Sequence, residues 1–285
     1  MSFNPDRINI HELTIEEPEK ETELPFDVEK DITKDEWEEM NKEMERQRGY
    51  NDWTQANRIA MDMKILDPKV NLNISDSDWE ASRQRIKDWQ TKGSWESIAS
   101  VAKQMKIFNQ DIGINLDDKA KQGMIQELYK KRIQIKTGIH ANANFPHKPW
   151  SFTDFPKLAT EIKITDPNIE FDVNEIAWDG MRQELEGFRD DNNWYAFAQQ
   201  AMQMKILDPN IDLGLNQDAW DGMRSRLKTY GGGTGWIMFS GQAVAMKILA
   251  AEEVKVTDKG LEINMRKKKD SLTSDVPPIP EIKKF

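Results

Sequence analysis

The sequence predicts an all-α fold: an α-solenoid of five helical-hairpin repeats of about 42 residues, joined by short extended straps and flanked by extended tails. Two observations predict it. Trp37, Trp79, Trp178 and Trp220 each have a second tryptophan 16 residues later, at Trp53, Trp95, Trp194 and Trp236. The phrase MKILDP at Met63–Pro68 returns at Met204–Pro209, as IKITDP at Ile162–Pro167, and as MKIL at Met246–Leu249. Aligning KQGMIQEL with WDGMRQEL places Lys121 where a first tryptophan is missing, and Phe152 takes the matching second position. The repeats then run near 35–76, 77–118, 119–175 (with an insertion at 135–150), 176–217 and 218–264.

Within each repeat the first helix is read from one apolar stripe, such as Trp178, Met181, Leu185 and Phe188. The second is read from another, such as Trp194, Phe197, Ala201, Met204 and Leu207. Steps of three and four residues lay such a set on one helical face. RGYND, TKGS and RDDNN punctuate the paired helices. Ser75, Asn174 and Asn216 carry oxygens able to cap the next first helix. The second helix stops at Asp-Pro, because proline lacks an N–H and biases the preceding residue away from helix. Alternating trios follow, such as Val70, Leu72 and Ile74, and these predict an extended strap with one apolar face. A single hairpin cannot bury both stripes, so neighbours must stack. The last stretch, AAEEVKVTDKGLEINM, departs from the pattern as a terminal cap would.

Residues 1–34 form an acidic tail rich in proline, and residues 265–285 a basic, proline-containing one. Neither has the apolar content to fold alone. The chain of 285 residues carries a net charge of −10, which argues against general nucleic-acid binding. With no cysteine, disulfides and thiolate chemistry are excluded. No apolar run is long enough for a membrane span and the N-terminus does not read as a signal peptide, while the absence of cysteine fits the cytoplasmic location that is expected.

Several stretches invite a site. Asp208, Asn210 and Asp212 alternate as calcium ligands do, but Leu213 and Ala219 stand where an EF-hand loop needs Gly and Glu. GGGTGW lacks the Gly-Lys-Ser/Thr of a phosphate loop and aligns with the interhelix turns. The histidines, His11, His140 and His147, match no ligand spacing. No catalytic residue, metal ligand or cofactor-binding residue is therefore assigned, and no small-molecule substrate is expected. Partner contacts are expected where the pattern fails. These are Lys121, the insertion residues His140, Asn142, Asn144, His147 and Trp150, and the basic run Arg266, Lys267, Lys268 and Lys269. That run is also the one place suited to nucleic acid.

The function expected is that of a non-enzymatic scaffold or structural subunit in a larger assembly, gripping protein partners through repeat faces and tails. One alternative is a reversible adaptor for peptides or nucleic acid on the concave face. Another is an enzyme with its site at the insertion.

Overall fold

The chain is mostly helical. The computed structural model describes residues 25–50, 53–72, 74–109, 111, 114, 116–137, 154–230 and 235–265. In order, the first helices are α1 (Val28–Asp31), α2 (Lys34–Gly49), α3 (Trp53–Leu66), α4 (Asp76–Lys92), α5 (Trp95–Phe108) and α6 (Asp118–Thr137). Then come α7 (Asp154–Thr165), α8 (Glu175–Asp190), α9 (Trp194–Leu207), α10 (Gln217–Lys228) and α11 (Gly235–Ala250). A short hairpin of β1 (Glu253–Thr257) and β2 (Gly260–Asn264) ends the described chain.

Side-chain oxygens set the helix starts. Ser75 opens α4 in a reciprocal capping box with Asp78, and Thr33 opens α2 in the same way with Glu36. The amide oxygens of Asn174 and Asn216 accept from the Ala177 and Ala219 N–H groups at 3.1 and 3.0 Å. At the other end α3, α7 and α9 stop at Asp67, Asp166 and Asp208. Each carboxylate turns back on its own chain, accepting the N–H two residues on at 2.8, 3.0 and 3.0 Å. The alternation of Asp208, Asn210 and Asp212 is thus tied to a turn. The straps that follow make no strand pairing among the described residues, and they bury their own Leu72 and Leu213 side chains.

The packing differs from an open solenoid in one decisive respect. Of the second helices, α3 packs on α5, α5 on α7, α7 on α9 and α9 on α11, and α11 then packs on α3. The ends of the array meet, so α3, α5, α7, α9 and α11 enclose a ring, with α2, α4, α6, α8 and α10 packed on their outer sides. An apolar stripe on both sides of every second helix makes this possible, because neither terminal helix then keeps an uncovered face.

The lysine of MKIL finds its role in this closure. Lys163 Nζ donates to the Ile206 and Leu207 carbonyls of α9 at 3.3 and 2.8 Å. Lys205 donates to Leu249 and Ala251 at 3.0 and 2.8 Å, and Lys247 to Ile65 and Leu66 of α3 at 2.8 and 2.9 Å. The last carbonyls of a helix have no partner inside it and form the negative end of its dipole. A lysine from the neighbouring helix meets both needs, so the C-terminal ends of α7, α9, α11 and α3 lie side by side. Burial pushes all three ammonium groups below the ordinary lysine range. Lys64 departs from the pattern, donating to Pro68 and Val70 of its own strap at 2.6 and 3.3 Å.

Tryptophan is not the deepest residue. Phe26, Phe155, Phe197 and Phe239 are among the largest fully buried side chains, while Trp95, Trp194 and Trp236 lie half-buried at the seams. Trp194 lies against Gly222 of α10, where an added Cβ would stand 2.2 Å from the indole. Trp95 lies in the same way against Gly123 of α6, at 2.3 Å. Replacing Gly222 by Ala is expected to cost about 2 kcal/mol in urea unfolding, overpacking outweighing the gain in helix propensity. Gly187 of α8 has open space at its Cβ, so alanine there is expected to stabilise by about 0.5–1 kcal/mol. A stabilising Gly222→Ala would show that the indole moves aside freely.

Two expectations about the ends are revised. The segment read as a terminal cap is a β-hairpin, with Val254 opposite Ile263 and Thr257 opposite Gly260. It packs across α5, α7 and α9. Of residues 1–34, read as a tail, those from Pro25 onward dock on the helices. Phe26 is wholly buried, Ile32 nearly so, and Arg224 of α10 donates to the Pro25 carbonyl. Among the described residues no helix is long and apolar enough to cross a membrane.

Candidate functional site

The ring encloses a cavity of about 450 Å³ lined by α3, α5, α7, α9 and α11. Its floor follows from the repeated phrase. Ile65, Ile107, Ile164, Ile206 and Ile248, the isoleucines of the five MKIL-like segments, all line it near the C-terminal ends of their helices. Leu261 of β2 joins them, so the hairpin contributes to the apolar end. The opposite end is the mouth. Thr54 on the first turn of α3, and Asp154 and Lys157 on α7, line the cavity and are exposed.

Between mouth and floor, over roughly 10 Å at 1.5 Å rise per residue, polar and charged side chains stand among apolar ones such as Met61, Met202 and Val244. Arg58 of α3 donates across the ring to the Tyr195 hydroxyl of α9 at 3.0 Å. Burial raises the Tyr195 phenol above its ordinary range, which keeps its proton in place. Asp62, one turn below Arg58, is 4% exposed and accepts from Ser240 Oγ of α11 at 2.7 Å. Burial pushes its carboxyl up to about 6, against the opposing pull of Arg58, the Ser240 hydroxyl and Lys103. Lys103 of α5 pairs with Glu161 of α7 at 2.9 Å, with Glu161 almost fully buried.

Glutamines complete the wall. Gln199 donates to the Gly241 carbonyl at 2.7 Å. The Oε1 atoms of Gln200 and Gln203 are buried with no hydrogen-bond partner among the described residues. Gln104, 7% exposed, makes no side-chain hydrogen bond to any described residue. The cavity thus holds three cationic and three anionic side chains, of which Lys103 and Glu161 are paired with each other, together with amide groups whose capacity is unfilled.

Sequence reasoning did not single out these residues. Arg58, Asp62, Lys103, Glu161, Gln104 and Gln203 sit on polar positions of the second helices. A stripe pattern marks the buried apolar face but leaves open whether the polar face meets solvent or a cavity. The signal lay in the closure of the ring, which no local period encodes. Of the residues expected to contact partners, Lys121 lies on α6, partly exposed, its ammonium 2.8 Å from Asp166. That contact raises the lysine; on Asp166 burial opposes ionisation, but the hydrogen bonds from Lys121 and Asn168 together with the lysine charge outweigh it and hold the carboxyl low. His140, Asn142, Asn144, His147, Trp150, Arg266, Lys267, Lys268 and Lys269 lie outside the described residues, as do His11 and the loop 231–234. No group of three or more histidine or acidic side chains that could hold a metal ion occurs among the described residues. Comparison with protein-family models, with curated proteins and with solved structures finds no match to this chain.

Proposed function

We propose that this chain is a non-enzymatic helical-repeat scaffold of five hairpins, acting in the cytoplasm as a structural subunit of a larger assembly. Protein partners engage its outer faces and its terminal segments, with Lys121, the insertion around His140–Trp150 and the basic run Arg266–Lys269 as contact points. The observation that supports it most is the internal use of the repeated phrase. Its lysines, aspartates and isoleucines serve helix ends, turns and the cavity floor, and the recurring tryptophans outside it fill seams, so the repeat builds a closed frame. What varies outside that frame is left for partners.

The reversible adaptor reading receives less support. The concave face on which a peptide or nucleic acid would lie is enclosed by the contact of α11 with α3. Its charge is mixed, with Arg58, Lys103 and Lys157 set against Asp62, Asp154 and Glu161. Phosphate binding calls for one sign of charge over a face.

The scaffold reading is tested by comparing the full chain with a chain of residues 25–265. The buried Phe26 places the first cut before Pro25 rather than after residue 34. The trimmed chain is expected to keep its thermal unfolding temperature and to lose the partners that cross-linking and mass spectrometry identify on the full chain. Undiminished partner capture by the trimmed chain would overturn the role given to the terminal segments.

A further inference from the structure

We infer that the cavity inside the ring is a binding site for a small, neutral, hydroxyl-rich molecule of the sugar or polyol class. The first ground is that the wall carries a set of polar groups where a structural core would be apolar throughout. A fully buried amide oxygen without a hydrogen-bond partner is costly and uncommon in folded proteins. Here Oε1 of Gln203 is such an atom on a residue lining the cavity, and Oε1 of Gln200 is another, although the Gln200 amide nitrogen already donates to Glu184 of α8 at 3.4 Å. Gln104 lines it as well, its amide unbonded to any described residue. The repeat does not require these groups. At the position of Gln104 and Gln203 in the 42-residue register, α11 carries Ala245, which is wholly buried.

The second ground concerns charge. The charged groups of the wall sum to zero, and the deepest of them already have partners. Lys103 faces Glu161, Arg58 faces the Tyr195 hydroxyl, and Asp62 faces Ser240. An ionic ligand would add net charge to a wall whose charges already balance, in a site of low polarisability. What remains open is amide chemistry. Each glutamine offers one acceptor and two donors, and a hydroxyl group is both donor and acceptor. Neighbouring hydroxyls on a small carbon frame satisfy such groups without bringing charge.

The third ground is shape. A volume of about 450 Å³ lies in the range of small-ligand sites. The isoleucines and Leu261 give the floor an apolar surface on which the C–H face of a sugar ring can rest. The polar wall stands above that floor, and the exposed Thr54, Asp154 and Lys157 mark the way in. This inference is separate from the scaffold reading, since a ligand held in the cavity leaves the outer faces available to partners.

The test is titration calorimetry on the full chain with D-glucose, trehalose and myo-inositol, and with putrescine and citrate as charged counterparts. One-to-one binding of a hydroxyl-rich probe, and of neither charged one, is the result expected. Gln104→Leu and Gln203→Leu are each expected to weaken that binding about fivefold, and the double variant by more than tenfold. Both should leave thermal unfolding unchanged or raised, because each removes an unfilled amide from the interior. Ser100→Trp, which projects bulk from α5 into the cavity, should abolish binding. Failure of all hydroxyl-rich probes at millimolar concentration overturns the inference, as does preferential binding of putrescine or citrate. Binding that survives the double variant and Ser100→Trp places the ligand elsewhere and overturns it equally.

Discussion

Lys247→Ala is expected to destabilise the fold by about 3 kcal/mol, the largest effect of any single lysine in the repeated phrase. Its ammonium holds two carbonyls at the end of α3, Ile65 and Leu66, across the seam where the two ends of the array join. Hydrogen bonds to a charged group are worth about 1.5–3 kcal/mol each. Part of that is returned when a buried cation is removed, since burial already disfavours its charge. The carbonyls left behind have no second partner, so the loss does not cancel. Lys64→Ala supplies the comparison. The Lys64 amine meets the carbonyls of Pro68 and Val70 in its own strap, nearer to solvent, so a cost under about 1 kcal/mol is expected. Urea unfolding of the two variants side by side measures the difference. Equal losses would show that the seam between α11 and α3 carries no special weight.

Asp62→Asn is expected to stabilise the protein by about 3 kcal/mol at pH 7 and by nothing near pH 4. The folded carboxyl titrates at about 6, above its ordinary value of 3.8, because burial disfavours the anion more than its neighbours restore it. The sign follows from linkage. Below pH 4 both states hold the proton and no penalty exists. Between pH 4 and 6 the unfolded chain releases the proton while the folded chain keeps it, so folding weakens as pH rises. Above pH 6 the loss is complete, and at about 1.4 kcal/mol per tenfold it reaches about 3 kcal/mol. Asparagine cannot ionise, yet its side-chain oxygen can still accept from Ser240. Parallel urea titrations of the two proteins from pH 4 to 8 check this. A difference that stays constant across that range would show that Asp62 is not the group responsible.

Helix content, the two helices per period and the places where they begin were legible because each rests on a local rule. Ser75, Asn174 and Asn216 cap through chemistry contained within three residues. Asp67, Asp166 and Asp208 end helices for reasons contained within two. The closure was not legible. The bond between Ser240 and Asp62 spans 178 residues, and the tryptophan spacing has the same form in an open and a closed array. The hairpin at 253–264 was visible in principle. Val254 and Val256 alternate before Thr-Asp-Lys-Gly and Leu261 and Ile263 after it, and Gly260 takes the positive φ of 101° that the turn requires. Alignment to a helical period hid that alternation. The glycines at 123 and 222 were equally visible and equally silent, since only the approach of an indole from another helix explains them. The cavity was the least legible part. Gln104 and Gln203 look like solvent-facing residues until the ring is closed around them.

A ring built from one chain has a consequence for its birth. In a linear array each unit can rest on the one made before it, and growth proceeds from one end. Here α3 waits for α11, because Asp62 and the carbonyls of Ile65 and Leu66 meet their partners 178 to 182 positions later. At translation rates of about 5–20 residues per second, that interval is roughly 10–35 s. During it one flank of α3 is bare and the nascent chain is an open arc, with Ile59 and Ala60, buried in the finished protein, among the residues of that helix. Closing the arc brings together segments far apart in sequence, which places the decisive step late and makes it slow. A ribosome stalled before Ser240 would therefore release a chain with most of its helices and none of its closure.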